Sequence, residues 1–212
     1  MKNPAINQTK SIYNSQLFTG VILAGGRATR MGGRDKGLVQ FKGKCLVEHV
    51  IAALRPQVGK LLISANRNQS RYTELCAGPV LVDTFGNYDG PLAGMVTALA
   101  QAHTDYVLFV PCDSPYLNPQ LAERLYTNLL QVQAEISVAH DGKRMHPVFS
   151  LLKRSLLSNL LTFLENGERS VHRFFAQQSL AHTDFSDSPD TFLNINSPEE
   201  LDNFNNNYMD CM

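Results

Sequence analysis

The chain has 212 residues, enough for one sizeable domain, and 43% of them are hydrophobic. Lys plus Arg and Asp plus Glu each number 19, so the formal charge is zero and the basic excess of a nucleic-acid binder is missing. No apolar run approaches the ~20 residues of a membrane span, and the four cysteines form no C-x-x-C pair that would suggest a zinc site or a disulfide framework.

Met1 to Phe18 is polar, rich in Asn, Gln and Ser, and lacks the apolar centre of a secretory signal; it reads as a disordered lead. The chain turns apolar at Val21, Ile22 and Leu23, a short buried strand that runs into a glycine-rich loop. That loop threads Arg27, Arg30, Arg34 and Lys36 between and beyond Gly25, Gly26, Gly32 and Gly33. Glycines let backbone N–H groups approach a ligand, and cations match phosphate oxygens, so the stretch is a candidate phosphate cradle. It is neither a P-loop, since no Gly-Lys-Ser or Gly-Lys-Thr occurs, nor a G-x-G-x-x-G dinucleotide fingerprint.

Residues 38–44 suit a short hairpin or extended segment. In Cys45 to Leu54, apolar Leu46, Val47, Val50, Ile51 and Leu54 share one helical face, and Pro56 ends the helix. Lys60 to Asn66 and Pro79 to Asp83 read as strands that finish on polar residues. Gly90 to Ala102 is a loop feeding a helix, and Asp105 to Pro115 holds the most apolar strand, again ending in an acid, Asp113. Asn118 with Pro119 suits an N-cap and first helical position ahead of Leu121 to Leu130. Ala134 to His140 and His146 to Leu152 read as strands about the turn Asp141-Gly142. Arg154 to Leu164 and Ser170 to Gln178 read as helices, Thr191 to Asn196 as a late strand, and Ser197 to Glu200 as a capping box opening a last helix. The tail beyond residue 205 is asparagine-rich and is expected to fray.

This alternation predicts an open α/β sheet with mainly parallel strands. The glycine loop, Asn66, Asp83 and Asp113 then all fall at strand ends, along the carboxyl edge where such sheets bind ligands.

L-A-G-G-x-x-x-R-M-G-x-x-D-K, here Leu23 to Lys36, resembles the signature loop of nucleotidyltransferases. Further segments, Ile63 to Gln69, Asp89 to Met95, Val110 to Tyr116, His140 to Pro147 and Asn194 to Leu201, narrow the resemblance to the molybdenum cofactor guanylyltransferases, the MobA family. The resemblance implies a three-layer, Rossmann-like nucleotidyltransferase fold over residues 19–205. It implies transfer of GMP from GTP to molybdenum-molybdopterin, with Mg2+ as cofactor. It implies nucleotide contacts at Leu23, Ala24, Gly25, Gly26, Lys36, Ser64, Asn66, Asp83 and Asp113. Arg30, Lys36 and Asp113 take catalytic roles, with Asp113 on the metal. Asn194 and Asn196, spaced to share one face of a strand, match acceptor-binding positions. A cytoplasmic enzyme follows, one that hands its product to other cofactor-biosynthesis proteins or to molybdoenzyme chaperones, with no membrane or nucleic-acid partner. The chain departs from the family at Ser64-Ala65-Asn66, where Asn-Ala-Asn is common, and at Cys45, where proline often stands. The alternatives are a related transferase using CTP or a sugar-like phosphate acceptor, a glycosyltransferase, which would often carry an Asp-x-Asp motif absent here, and a non-catalytic nucleotide-binding module.

His146, beside Pro147, is a lone histidine that suits either an acceptor contact or a structural role.

Overall fold

The computed structural model describes residues 13–25, 35–83 and 90–195. Strand β1 (Phe18–Leu23) is followed by the hairpin β2 (Gln40–Phe41) and β3 (Lys44–Cys45), then helix α1 (Leu46–Leu54). Next come β4 (Lys60–Ser64), α2 (Gln69–Cys76), β5 (Val80–Leu81), α3 (Pro91–Gln101), β6 (Tyr106–Pro111) and α4 (Leu121–Gln131). The described chain closes with β7 (Ile136–His140), β8 (Met145–Lys153), α5 (Leu157–Glu165), α6 (Val171–Ala176) and β9 (Leu180–Asp184).

Seven strands form the central sheet in the order β5-β4-β1-β6-β8-β7-β9. All neighbouring pairs are parallel except those of β8 with β6 and with β7. The expected mainly parallel α/β architecture is therefore the one observed. The order in which strands are added reverses at β1: β4 and β5 lie on one side of it, and the chain then crosses to β6 on the other. That is the switch point at which doubly wound sheets open a ligand crevice.

Strand alternation sorts the core into two layers. Ile22, Leu61, Ile63, Leu108 and Val110 face a cluster containing residues of α1, α2 and α4. Val21, Leu62, Val107 and Phe109 face the opposite cluster, with residues of α3, α5 and α6. The period of two along each strand thus produces a helix layer on each side of the sheet. The five apolar residues predicted to share a face of α1 are all buried.

Several local expectations change. Helix α2 was absent from the expected order: its sequence is polar and buries only Tyr72 and Cys76. The edge strand β9 was also unexpected, because the five residues LAHTD offer only a weak alternation. The late strand over Thr191–Asn196 is instead a 3-10 turn at Pro189–Phe192, followed by non-strand residues, since Pro189 opens a helical turn there. Asn118 caps an earlier turn, its Oδ1 accepting from the Gln120 amide at 2.7 Å, and α4 begins only at Leu121. At the end of the expected lead, Ser15–Leu17 forms a 3-10 turn, Tyr13 stacks on Phe18 and Phe18 is fully buried. The predicted last helix from Ser197 and the tail lie outside the described residues.

Candidate active site

Leu23 pairs in register with both Ser64 and Pro111, and Ser64 pairs with Leu81, so four parallel strands end on one level. Three further backbone bonds stitch the residues just beyond: Ala24 N to Ser64 O at 2.8 Å, Ala65 N to Leu81 O at 2.9 Å and Cys112 N to Leu23 O at 3.2 Å. Leu23, Ala24, Gly25, Ser64, Asn66, Asp83 and Asp113 all fall on this rim. Gly26, Arg30 and Asn196 lie outside the described residues, as do Arg27 and Arg34.

The chain returns to the rim at Lys36, the start of a 3-10 turn over Lys36–Leu38. Its ammonium lies 3.3 Å from Oδ2 of Asp113, whose side chain is only 9% exposed. Two residues thus come together that stand 77 positions apart. The rim also gathers Ser64, Asn66 and Asp83. Asn66 Nδ2 donates to Asp83 Oδ2 at 2.7 Å and its Oδ1 accepts from the Asp83 amide at 2.9 Å, while Ser64 Oγ lies 3.4 Å from Asp83 Oδ1. Ser64 therefore holds a carboxylate of the rim, and its hydroxyl touches the α3 side as well: a Cβ on Gly94 would lie 2.8 Å from Ser64 Oγ.

Asn194 reaches the same place from a different backbone than expected. It lies after the 3-10 turn, outside any strand, and its Oδ1 accepts from the Ser114 hydroxyl. The Ile195 amide donates to the Asp113 carbonyl at 3.2 Å, so this late segment is bound directly to the loop after β6. His146 sits nearby at the start of β8. Its Nε2 is 2.8 Å from Asp141 Oδ2 and its ring stacks on Phe192 at 4.0 Å. Cys45 caps α1: its amide donates to Glu48 Oε2 at 2.7 Å and its sulfur takes part in a capping box, so the departure from proline is accommodated locally.

Four residues of the neighbourhood were missed from sequence: Asp35, Asn68, Tyr72 and Ser114. Asp35 accepts from the Tyr72 hydroxyl and, at 3.0 Å, from Asn68 Nδ2. The available signals were the pairing of Asp35 with Lys36 in the signature and the four-residue spacing of Asn68 and Tyr72. Burial, then the charge of Cys112 and the bond to Asp35, push the Tyr72 phenol far above its ordinary value. Burial likewise pushes the Cys112 thiol up, with Asp113 and Asp35 adding to the effect and Lys36 opposing it. Both groups stay protonated at neutral pH.

Residues 20–183 match the model of the MobA-like NTP transferase domain. The chain belongs to this family. It is 50% identical over 180 residues to a molybdenum cofactor guanylyltransferase of Shewanella woodyi, covering 85% of this chain and 91% of that one. It is 47% identical over 184 residues to a protein of the same name from Vibrio campbellii, covering 87% and 93%. Among solved structures, the fold matches molybdopterin-guanine dinucleotide biosynthesis protein A from Archaeoglobus fulgidus with a TM-score of 0.73 at 19% identity, over 91% of this chain and 99% of that one. It also matches a CMP:2-keto-3-deoxy-manno-octonic acid synthetase solved with CTP, with a TM-score of 0.69 at 11% identity, over 94% and 100%. The nucleotidyltransferase fold expected from sequence is the observed one, and the chain is a nucleotidyltransferase.

Proposed function

We propose that this enzyme is a molybdenum cofactor guanylyltransferase: it transfers GMP from GTP to molybdenum-molybdopterin, forming molybdopterin guanine dinucleotide and pyrophosphate. The observation that carries the reading is the meeting of Lys36 and Asp113 at the switch point of the sheet, in a chain about half identical to proteins of that name. A terminal phosphate oxygen of the acceptor forms a bond to the α-phosphorus of GTP. The bond from that phosphorus to the bridging oxygen breaks, and its electron pair leaves with pyrophosphate. Such a transfer is catalysed by positioning and charge neutralisation, without a covalent protein intermediate.

Within this reading Lys36 and Arg30 offset the charge that develops toward pyrophosphate. The backbone from Leu23 to Gly26 lies along the phosphates. Asp83, held by Asn66 and Ser64, presents carboxylate oxygens to N–H or O–H donors of the nucleoside. Asn194 and Asn196 serve the acceptor, with Asn194 oriented by Ser114.

The donor set suits Mg2+. No cluster of three His, Cys, Asp or Glu residues that would cage a metal occurs among the described residues. Magnesium is commonly bound by one or two carboxylates with substrate phosphates completing the shell, and Asp113 is a buried carboxylate at the rim. Bound there, Mg2+ would neutralise phosphate charge. No described helix is long and apolar enough to cross a membrane, and the free thiols Cys45, Cys76 and Cys112 suit a reducing compartment such as the cytoplasm. Product transfer to other biosynthesis proteins or to molybdoenzyme chaperones completes the reading.

The deciding experiment follows pyrophosphate release with magnesium and molybdenum-molybdopterin, with GTP and CTP supplied in parallel. Release with GTP alone is expected. Release with CTP alone would reverse the base assignment, and silence with both would overturn the reaction.

A further inference from the structure

Asp35 poses a physical problem. It stands directly before Lys36, so a carboxylate flanks the very cation assigned to the triphosphate, where negative charge would repel the substrate. The structure holds that carboxylate from both of its oxygens. One oxygen accepts from the hydroxyl of Tyr72, and the other accepts from Asn68 Nδ2 at 3.0 Å. Tyr72 is fully buried on α2, so its hydroxyl is a fixed donor. Asn68 sits in the left-handed region, φ 50° and ψ 32°, which asparagine tolerates better than most residues, and its carbonyl accepts from the Tyr72 amide at 3.1 Å. The two donors are thus tied to each other as well as to Asp35.

The other side of Tyr72 is closed by the turn that carries Lys36. A Cβ on Gly37 would meet the Tyr72 hydroxyl at 2.5 Å and both Tyr72 Cε1 and Cys112 Cβ at 3.2 Å. Gly37 is therefore a contact glycine, which lets the ring lie against the backbone between Lys36 and Leu38. The same turn is closed by Leu38 N to Asp35 O and Val39 N to Lys36 O, each 3.1 Å.

We infer that Tyr72, with Asn68, is a positioning residue for Lys36: through Asp35 it anchors the turn that brings the ammonium beside Asp113. A lysine on a four-carbon stem loses considerable freedom when held in one place, and anchoring its neighbouring residue lowers that cost before nucleotide arrives. The inference rests on the nucleotide reading of the site, and it adds α2 to the catalytic machinery.

The test is a double-mutant cycle on GTP affinity, measured by calorimetry with magnesium, using Tyr72→Phe, Lys36→Met and both together. Loss of a buried hydrogen bond to a charged group predicts that Tyr72→Phe weakens GTP about tenfold. That loss should vanish in the Lys36→Met background, because Tyr72 acts through Lys36. Asn68→Gly, which keeps the left-handed backbone at an exposed position and removes the second donor to Asp35 without changing charge, should weaken GTP in the same sense and also lose its effect in that background. Hydrogen exchange of the Leu38 and Val39 amides in the ligand-free protein should rise in Tyr72→Phe. An unchanged affinity, or an equal loss with and without Lys36, overturns the inference. A wild type that binds no GTP would count against the nucleotide reading instead, and unchanged exchange at Leu38 and Val39 would still refute the anchoring by itself.

Discussion

Replacing Gly94 by alanine sets two opposing effects against each other. Gly94 lies in the first turns of α3, where alanine is favoured over glycine by about 1 kcal/mol in a helix interior. Against that, the added Cβ would lie 2.8 Å from Ser64 Oγ and 3.0 Å from Leu23 Cδ2. Both are ends of side chains, so the clash is relieved by rotating Ser64 and shifting the Leu23 methyl rather than by moving backbone. Ser64 is 2% exposed, which leaves its hydroxyl few places to go. Overpacking of this kind costs roughly 1–3 kcal/mol, so the net change in stability should fall between about zero and 2 kcal/mol of loss. The larger effect should be on the site, because Ser64 Oγ is the group 3.4 Å from Asp83 Oδ1 and must leave that contact. Urea unfolding and GTP titration on the same variant separate the two. The expected result is unfolding between the wild-type value and about 2 kcal/mol below it, with GTP weakened several-fold, to an extent set by the one hydrogen bond displaced. A variant that is more stable by the full helix-propensity gain and binds GTP normally would refute the reasoning, since it would show that α3 does not need a close approach to Ser64.

Asp113→Ala should lower pyrophosphate release by at least about a hundredfold, the usual scale for removing a charge-stabilising group, while far-UV circular dichroism stays native; near-normal turnover would remove Asp113 from the mechanism. Chelation should silence the enzyme and added magnesium should restore it; turnover that survives thorough chelation would exclude a metal role. Asp141 is held well below the ordinary carboxylate range, first by the Arg144 amide and then by His146 and the Lys143 amide. A depressed carboxylate stabilises the fold above its unfolded value of about 4 and loses that contribution as pH falls through its folded value. The acid limb of the melting curve should therefore be shallower in Asp141→Asn than in wild type below about pH 4, and coincident limbs would refute the assignment.

What was legible in the sequence tracks how strongly burial repeats along the chain. Helix α1 buries five residues at helical spacing, and β1, β4 and β6 are nearly continuous apolar runs, as strands covered on both faces must be. Helix α2 escapes such a reading because its outer face is polar and its inner face offers only Tyr72 and Cys76 fully buried, with Leu75 half-buried beside them. Edge strand β9 escapes for a related reason. Ala181 and Thr183 are buried, Leu180 on the other face is half-buried, and His182 and Asp184 are exposed, so few apolar residues mark the strand. The late segment at Thr191–Ile195 was misread because Phe192 and Ile195 are indeed buried, but in separate contacts: Phe192 against His146 and Phe149, Ile195 with Phe41 and Leu46. Alternating apolar residues reported burial there without reporting a ladder.

The site divides along the same line. Residues at strand ends, such as Ser64, Asn66, Asp83 and Asp113, were visible because an apolar run that stops abruptly on a polar group marks a sheet edge, and parallel order sends those edges to one rim. The residues that hold the rim together were not visible, because each is defined by a partner distant in sequence: Tyr72 by Asp35, 37 positions away, and Ser114 by Asn194, 80 positions away. Lys36 shows why both kinds matter. Its side chain is 27% exposed, so packing alone does not fix it, and its position depends on the turn beneath it. That turn is bounded by Asp35 on α2's donors and by Gly37 on the face of Tyr72. The ammonium of Lys36 thus stands beside Asp113 on a turn that a helix with almost no apolar signature closes from below.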